Sequence, residues 1–327
     1  MRAKVRFVLI VSKIMNILVT GANGQVGRTL REVSRGSSDR YLFSDVSQVG
    51  DFETLYLDVT NADALEIVCE SEMVDFIVNC AAFPDVAMAE DDHVMADLIN
   101  REGPANVAKV AARRKIPLIH ISSCFVFSGE SGLPAREDQS PSPWGVYGVT
   151  KFAGEVAVRS SKCRFLILRT GWLYSPYGRN PLTDLLKFCS MHRSVKMSYD
   201  RVGTPTSAFT VCRFIVDLIG SRDFSRFGNS ERGVDGIYNL TDEGIASWYD
   251  FARSAVSLYG LPVDVVPALW DESHLRERVP VYSVLDKALV KRDFGITLPH
   301  WRESLSDCVR KIKEEGPEGE RNKTNAL

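Results

Sequence analysis

The chain has 327 residues, 45% of them hydrophobic and 25% charged, with a formal net charge of −2 at pH 7. This is the make-up of an ordinary globular protein, long enough for one large domain or two unequal ones. The near-neutral balance gives no reason to expect a nucleic acid or a membrane as partner, so function is sought in a pocket. The seven cysteines (69, 80, 124, 163, 189, 212 and 308) are odd in number and never spaced Cys-x-x-Cys. That argues against a disulfide framework or a zinc site and for a reducing compartment, the cytoplasm. His93, His120, His192, His274 and His300 are widely dispersed, and no metal is expected.

Residues 1–14 hold a short apolar run, Val5 to Val11, interrupted by Arg6. It is too short to span a bilayer and lacks a small-residue cleavage site. It is expected to be an N-terminal extension, with Met15 as the natural start. Strand Asn16–Val19 then runs into Thr20-Gly21-Ala22-Asn23-Gly24-Gln25-Val26-Gly27 and a helix from Arg28. Gly21 suits a tight turn, Gly24 a close backbone approach to a pyrophosphate, and Gly27 close helix–strand packing, while the helix N-terminus attracts the anion. The spacing is Gly-x-x-Gly-x-x-Gly, not the Gly-x-Gly-x-x-Gly of long-chain dehydrogenases. Flanked by strand and helix, it predicts a dinucleotide site.

Asp45 follows the second run, Tyr41–Phe43, about 20 residues on, where a carboxylate accepts hydrogen bonds from a ribose 2′-hydroxyl. Its charge would disfavour a 2′-phosphate; a turn role is the alternative. Asp58 and Val59 follow the third run, Thr54–Leu57, where Asp58 would meet the adenine edge or cap the helix starting near Asn61. Asn79-Cys80-Ala81-Ala82 ends the fourth run, Asp75–Asn79, with small residues that let the backbone approach a cofactor. Leu118–Ser122 and Phe165–Leu168 complete the alternation of strand and helix. It implies a parallel sheet covered on both faces, a Rossmann-type doubly wound α/β domain over residues 15–170. After Thr170 turn clusters at 175–181 and 203–205 break the rhythm. Residues 171–313 are expected to form a smaller, mainly substrate-binding lobe with segments returning to the sheet, and the charged tail 314–327 to be disordered.

Tyr147 and Lys151 stand four residues apart in Val146-Tyr-Gly-Val-Thr-Lys-Phe-Ala-Gly-Glu155. On a helix that step stacks a phenol beside an ammonium, which would favour the phenolate and pull the tyrosine pKa from about 10 towards neutrality. A general acid works best with its pKa near the operating pH.

With the loop at 21–27, Asn79-Cys-Ala-Ala82, Ile121-Ser-Ser123 and Tyr147-x-x-x-Lys151 in this order, the chain resembles the extended short-chain dehydrogenase/reductase superfamily. Within it the chain is similar to the dTDP-4-dehydrorhamnose reductase family. That likeness is carried by Ser142-Pro-Trp-Gly-Val-Tyr147, Leu168-Arg-Thr-Gly-Trp-Leu-Tyr174, Gly203-Thr-Pro-Thr206, Gly236-Ile-Tyr-Asn-Leu240 and Leu298-Pro-His-Trp301. It runs from Met15 to about Lys313.

The resemblance implies reduction of the 4-keto group of a nucleotide-linked deoxysugar by NADH or NADPH, giving dTDP-L-rhamnose, in a monomer or homodimer. It implies that Ser123 hydrogen-bonds the keto oxygen, Tyr147 protonates it, and Lys151 lowers the tyrosine pKa and holds the nicotinamide ribose. It places Ser122 with the cofactor, Cys124 and Trp172 with the substrate, and Asn100 among the residues that organise the site. The family pattern Ser-Thr-Asp-Tyr-Val-Phe becomes Ser122-Ser-Cys-Phe-Val-Phe127, so a carboxylate aimed at sugar hydroxyls becomes a thiol. Losing such a charge-assisted bond would cost about 1.5–3 kcal/mol. Ala87 stands where an aspartate is usual, and Arg278-Val-Pro280 shifts an arginine. Two other readings share the fold: a cofactor-binding regulatory subunit resembling the methionine adenosyltransferase β subunit, and a nucleotide-sugar epimerase. A dehydratase would carry Asp-Glu in place of Cys124-Phe125.

Overall fold

The structure is a computed structural model that describes residues 13–49, 52–228, 235–270 and 278–315. In chain order the first half gives β1 (Asn16–Thr20), α1 (Gln25–Val33), β2 (Arg40–Asp45), β3 (Leu55–Tyr56), α2 (Ala62–Ser71), β4 (Phe76–Asn79), α3 (Val86–Asp91), α4 (His93–Asp97), α5 (Gly103–Arg114), β5 (Leu118–Ser123), α6 (Val146–Ser160) and β6 (Phe165–Thr170). The second half gives β7 (Leu173–Tyr174), α7 (Pro181–Ser190), β8 (Ser194–Ser198), β9 (Val202–Gly203), β10 (Thr206–Ser207), α8 (Ala208–Ser221), β11 (Ile237–Asn239), β12 (Ala246–Ser247), α9 (Trp248–Tyr259), β13 (Asp264–Ala268), α10 (Ala288–Phe294) and α11 (Trp301–Glu315).

Among the described residues, seven strands form one sheet in the order β11-β6-β5-β4-β1-β2-β3, parallel throughout. The six runs expected from the sequence are all in it; the seventh strand, Ile237–Asn239, joins from far down the chain and pairs with β6. The strands are almost uniformly apolar because both faces are covered. Ile17, Val19, Phe76, Val78, Ile119 and Ile121 pack one face with Leu30 of α1 and Ile215 of α8. Leu18, Ile77, Leu118 and Ile167 pack the other with Leu65 of α2, Val107 of α5 and Val158 of α6.

The chain moves from β1 out to β2 and β3, then crosses back to β4 on the other side of β1. That reversal opens a crevice at the C-terminal ends of β1 and β4, where ligands bind in such sheets. A separate core brings Tyr174, Leu186 of α7, Phe251 of α9 and Leu305 of α11 together. α7 and α9 each start from a side-chain capping box, Asn180–Thr183 and Ser247–Asp250, so the turn-rich segments before them end in well-defined helices. The expected N-terminal extension lies, for residues 1–12, outside the described residues, as does 316–327 of the expected tail; Glu314 and Glu315 close α11.

Candidate active site

The glycine loop joins β1 to α1 at the crevice. Gly21 has φ +65°, and a Cβ there would sit 2.5 Å from the Ala81 backbone nitrogen, so only glycine lets the loop meet the end of β4. A Cβ at Gly27 would collide with the Ala22 backbone, which fixes how closely α1 packs under the loop. No side chain caps the start of α1, leaving its N–H groups directed at the crevice. Val26 is buried in the core, and Gln25 is half-buried with its Oε1 free of protein partners.

Asp45 accepts the Asn23 backbone N–H at 2.9 Å and, through its other oxygen, the Ser47 N–H at 3.2 Å and hydroxyl at 3.0 Å. The carboxylate therefore braces the loop at the far end of the crevice. Asn23 adds a side-chain bond to the Ser47 carbonyl at 2.5 Å. Asp58 accepts the Thr60 N–H at 2.8 Å and hydroxyl at 2.7 Å, a local turn bond, while the cap of α2 is Asn61. Val59 is buried in the core. Cys80 and Ala82 are half-buried at the end of β4, beside Ala81. A cradle that a single Cβ would fill, uncapped helix N–H groups and a carboxylate at the ribose end together fit a dinucleotide.

Across the crevice, β5 delivers Ser123 and α6 delivers Tyr147 from its first turn. The Ser123 hydroxyl accepts the Phe125 N–H at 3.2 Å. Phe125 packs edge-on against the Tyr147 ring at 5.5 Å. Burial pushes the Tyr147 phenol up to about 12, against the downward pull of Ser123, with Cys124 adding to the rise. The sequence expectation of a lowered phenol is therefore not met: burial outweighs the neighbouring groups. The Lys151 ammonium is turned onto the Ile121 carbonyl at 2.8 Å, and burial holds its own pKa at about 8 against the raising influence of Glu155.

Asn100 lies in a π-helical turn, Leu98–Glu102, between α4 and α5. Its amide exchanges both bonds with the Phe83 backbone, at 2.9 and 3.2 Å, and donates to the Thr150 hydroxyl at 3.2 Å. It therefore ties the loop after β4 to α6. Glu90 holds the same helix from α3, accepting the Val146 N–H at 2.7 Å.

Beneath Lys151 lies a buried polar group that spacing alone does not reveal. Glu155, one turn on, is fully buried and receives two bonds from Arg169, at 2.9 and 2.7 Å, and one from Ser122 at 2.5 Å. Ser122 thus spends its hydroxyl on this network, and any cofactor contact it makes runs through its backbone. The available signals were an arginine inside an apolar strand and a glutamate at i+4 from the lysine. Alongside, Thr20 donates to Asn79 at 2.6 Å and Asn79 lies 3.1 Å from His120 Nδ1. Burial, reinforced by Lys151, holds His120 well below the usual histidine range and therefore neutral.

Beyond the end of β6, Trp172 is 8% exposed, has φ +49° and stacks on Trp248 at 3.9 Å and 8°. Cys124 is 1% exposed, with its thiol pushed up to about 12 by burial. Cys124 and Ser283 line a cavity of about 370 Å³ with Gln139, Ser142 and Tyr282. Ala87 lies on α3, and the Arg278 guanidinium lies 5.6 Å from the Trp144 ring centre. Among the described residues no cluster of three or more His, Cys, Asp or Glu is placed to hold a metal ion, and no helix is long and apolar enough to cross a membrane.

A glycine cradle facing a Tyr–Ser–Lys set at the C-terminal edge of a parallel sheet defines a Rossmann-fold oxidoreductase of the short-chain dehydrogenase/reductase type. The family model described as "RmlD substrate binding domain" matches residues 15–314. A dTDP-4-dehydrorhamnose reductase from Sinorhizobium fredii is 32% identical over 314 residues, 92% of this chain and 99% of that protein. A dTDP-4-keto-6-deoxy-D-glucose reductase from Streptomyces niveus is 32% identical over 89% of this chain and 95% of its own. The crystal structure of dTDP-4-dehydrorhamnose reductase from Bacillus anthracis in complex with NADP superposes with a TM-score of 0.82 at 27% identity, covering 91% of this chain and 100% of that one. The chain belongs to the dTDP-4-dehydrorhamnose reductase family.

Proposed function

We propose that this protein is an NAD(P)H-dependent reductase of the 4-keto group of a dTDP-linked deoxysugar, converting dTDP-4-dehydro-L-rhamnose to dTDP-L-rhamnose. The observation that carries the reading is that Ser123 and Tyr147 meet around Phe125, whose N–H bonds the Ser123 hydroxyl at 3.2 Å and whose ring packs on Tyr147 at 5.5 Å, across the crevice from the glycine loop. Gly21, Asn23, Gly24, Gln25, Val26 and Gly27 would hold the pyrophosphate through backbone N–H groups, Asp45 the adenosine ribose, and Lys151 the nicotinamide ribose. NAD(P)H bound there supplies the hydride for the carbonyl carbon. Ser123 donates to the carbonyl oxygen and Tyr147 gives that oxygen its proton, so hydride and proton together yield the alcohol. A phenol kept neutral by burial holds its proton until the oxygen becomes basic. Lys151, cationic at neutral pH and one turn away, then favours the phenolate left behind.

Seven free thiols and the absence of a membrane-crossing helix among the described residues support a cytoplasmic site of action. Residues 15–170 would serve mainly as the cofactor-binding domain and 171–313 mainly as the substrate lobe, a division supported by the separate core around Phe251. Incubation of purified protein with dTDP-4-dehydro-L-rhamnose and NADH or NADPH, followed by loss of reduced-nicotinamide absorbance, tests the assignment. No turnover with this or an enlarged panel of dTDP-4-keto sugars would overturn it.

A further inference from the structure

Trp172 is a bulky residue held in the left-handed region, at φ +49°, directly after a glycine. Such a conformation is costly for a side chain with a Cβ and persists only where its surroundings over-determine it. Here they do. The indole Nε1 donates to the Ser283 hydroxyl at 2.9 Å in the protein interior, and Ser283 donates in turn to the Val202 carbonyl at 3.2 Å. One ring face lies flat on Trp248. At Gly203 a Cβ would collide with the Trp172 ring, and at Gly171 it would sit 2.5 Å from the Cys124 sulfur. Ser283 and Cys124 line the same cavity, and Cys124 directly follows Ser123, the last residue of β5. One buried hydroxyl thus anchors the tryptophan wall beside the end of β5 that carries Ser123.

We propose that Ser283 is a positioning residue that fixes the Trp172 ring against Trp248 and locks this sugar-side wall in register with Ser123 and Tyr147. The part of the proposal that concerns sugar binding rests on the ketoreductase reading above. Removing the hydroxyl leaves a buried indole N–H without a partner and frees a strained residue to relax, so the wall moves while the cofactor cradle does not.

The experiment is a double-mutant cycle of Ser283→Ala and Trp172→Phe, read by near-ultraviolet circular dichroism and by kinetics with the dTDP-4-keto sugar. Ser283→Ala should lose the dichroism of the stacked tryptophans. It should also raise KM for the sugar on the order of tenfold, the size expected for an orphaned buried donor, with KM for NAD(P)H unchanged. In the Trp172→Phe background, where no indole N–H exists, the same substitution should change neither reading. Unchanged dichroism in Ser283→Ala, an equal rise in both KM values, or an undiminished effect in the Trp172→Phe background would overturn the proposal. If the wild-type protein reduces no dTDP-4-keto sugar, the ketoreductase reading fails, and the dichroism arm alone still decides whether Ser283 positions the indole.

Discussion

Replacing Lys151 by methionine should make the cofactor-free protein more stable while disabling it. The Lys151 side chain is 2% exposed, and burial lowers its pKa from 10.5 to about 8. One pKa unit corresponds to about 1.4 kcal/mol, so keeping this ammonium in the folded state costs roughly 3 kcal/mol relative to the neutral amine. The folded-state value lies below the unfolded one, so the unfolded chain binds more protons between pH 8 and 10.5 and stability rises with pH through that window. The penalty is therefore complete below about pH 8 and gone above about pH 10.5. Methionine removes the charge at similar length and forfeits the bond to the Ile121 carbonyl, worth about 1 kcal/mol. The variant should exceed the wild type by about 2 kcal/mol near neutral pH, and the gap should close or reverse by about 1 kcal/mol once the amine is neutral. Urea unfolding of both proteins across this pH range measures it. A variant less stable near neutrality, or a gap that does not move with pH, would refute the reasoning.

Tyr147→Phe keeps the packing against Phe125 and removes the proton, so turnover should fall by about 10²–10⁴-fold while NADPH binding, followed by fluorescence titration, is retained. Glu155→Ala leaves the Arg169 guanidinium buried beside a carbonyl at 3.4 Å and the Phe127 ring, and should destabilise the fold by about 3–5 kcal/mol in urea unfolding. An effect below about 1 kcal/mol would mean that water reaches Arg169. Asp45→Asn keeps an acceptor for the Asn23 N–H but discards the charge that repels a 2′-phosphate. The ratio of kcat/KM for NADPH to that for NADH should rise about five- to tenfold, and an unchanged ratio would take Asp45 away from the ribose.

The parts of the molecule legible in the sequence are those whose physical cause is local. A strand buried on both faces must be apolar along its whole length, so Asn16–Thr20, Phe76–Asn79 and Leu118–Ser123 announce themselves. The glycine loop is contiguous because one tight turn must bring a helix end to a phosphate. β11 is three residues long, and its place beside β6 depends on everything between. No periodicity reveals such a strand. Pairing across long separations is equally hidden: Trp172 and Ser283 meet across 111 residues. The same limit explains the phenol. Spacing places Tyr147 and Lys151 on one helix face, but whether the ammonium or burial decides the pKa depends on a backbone carbonyl contributed by another element.

Cys124 shows why a substituted family position has to be judged by what surrounds it. A carboxylate there would be acceptor-only, and buried between Ser283 and Gly171 it would need donors to offset its desolvation. The thiol needs far less: burial keeps it neutral, and it leaves so little room that Gly171 cannot carry a side chain. Cys124 is thus a closed, neutral contact against Gly171. On the substrate placement proposed above, a sugar approaching Tyr147 would meet the fixed face of Trp172 and no charge at Cys124.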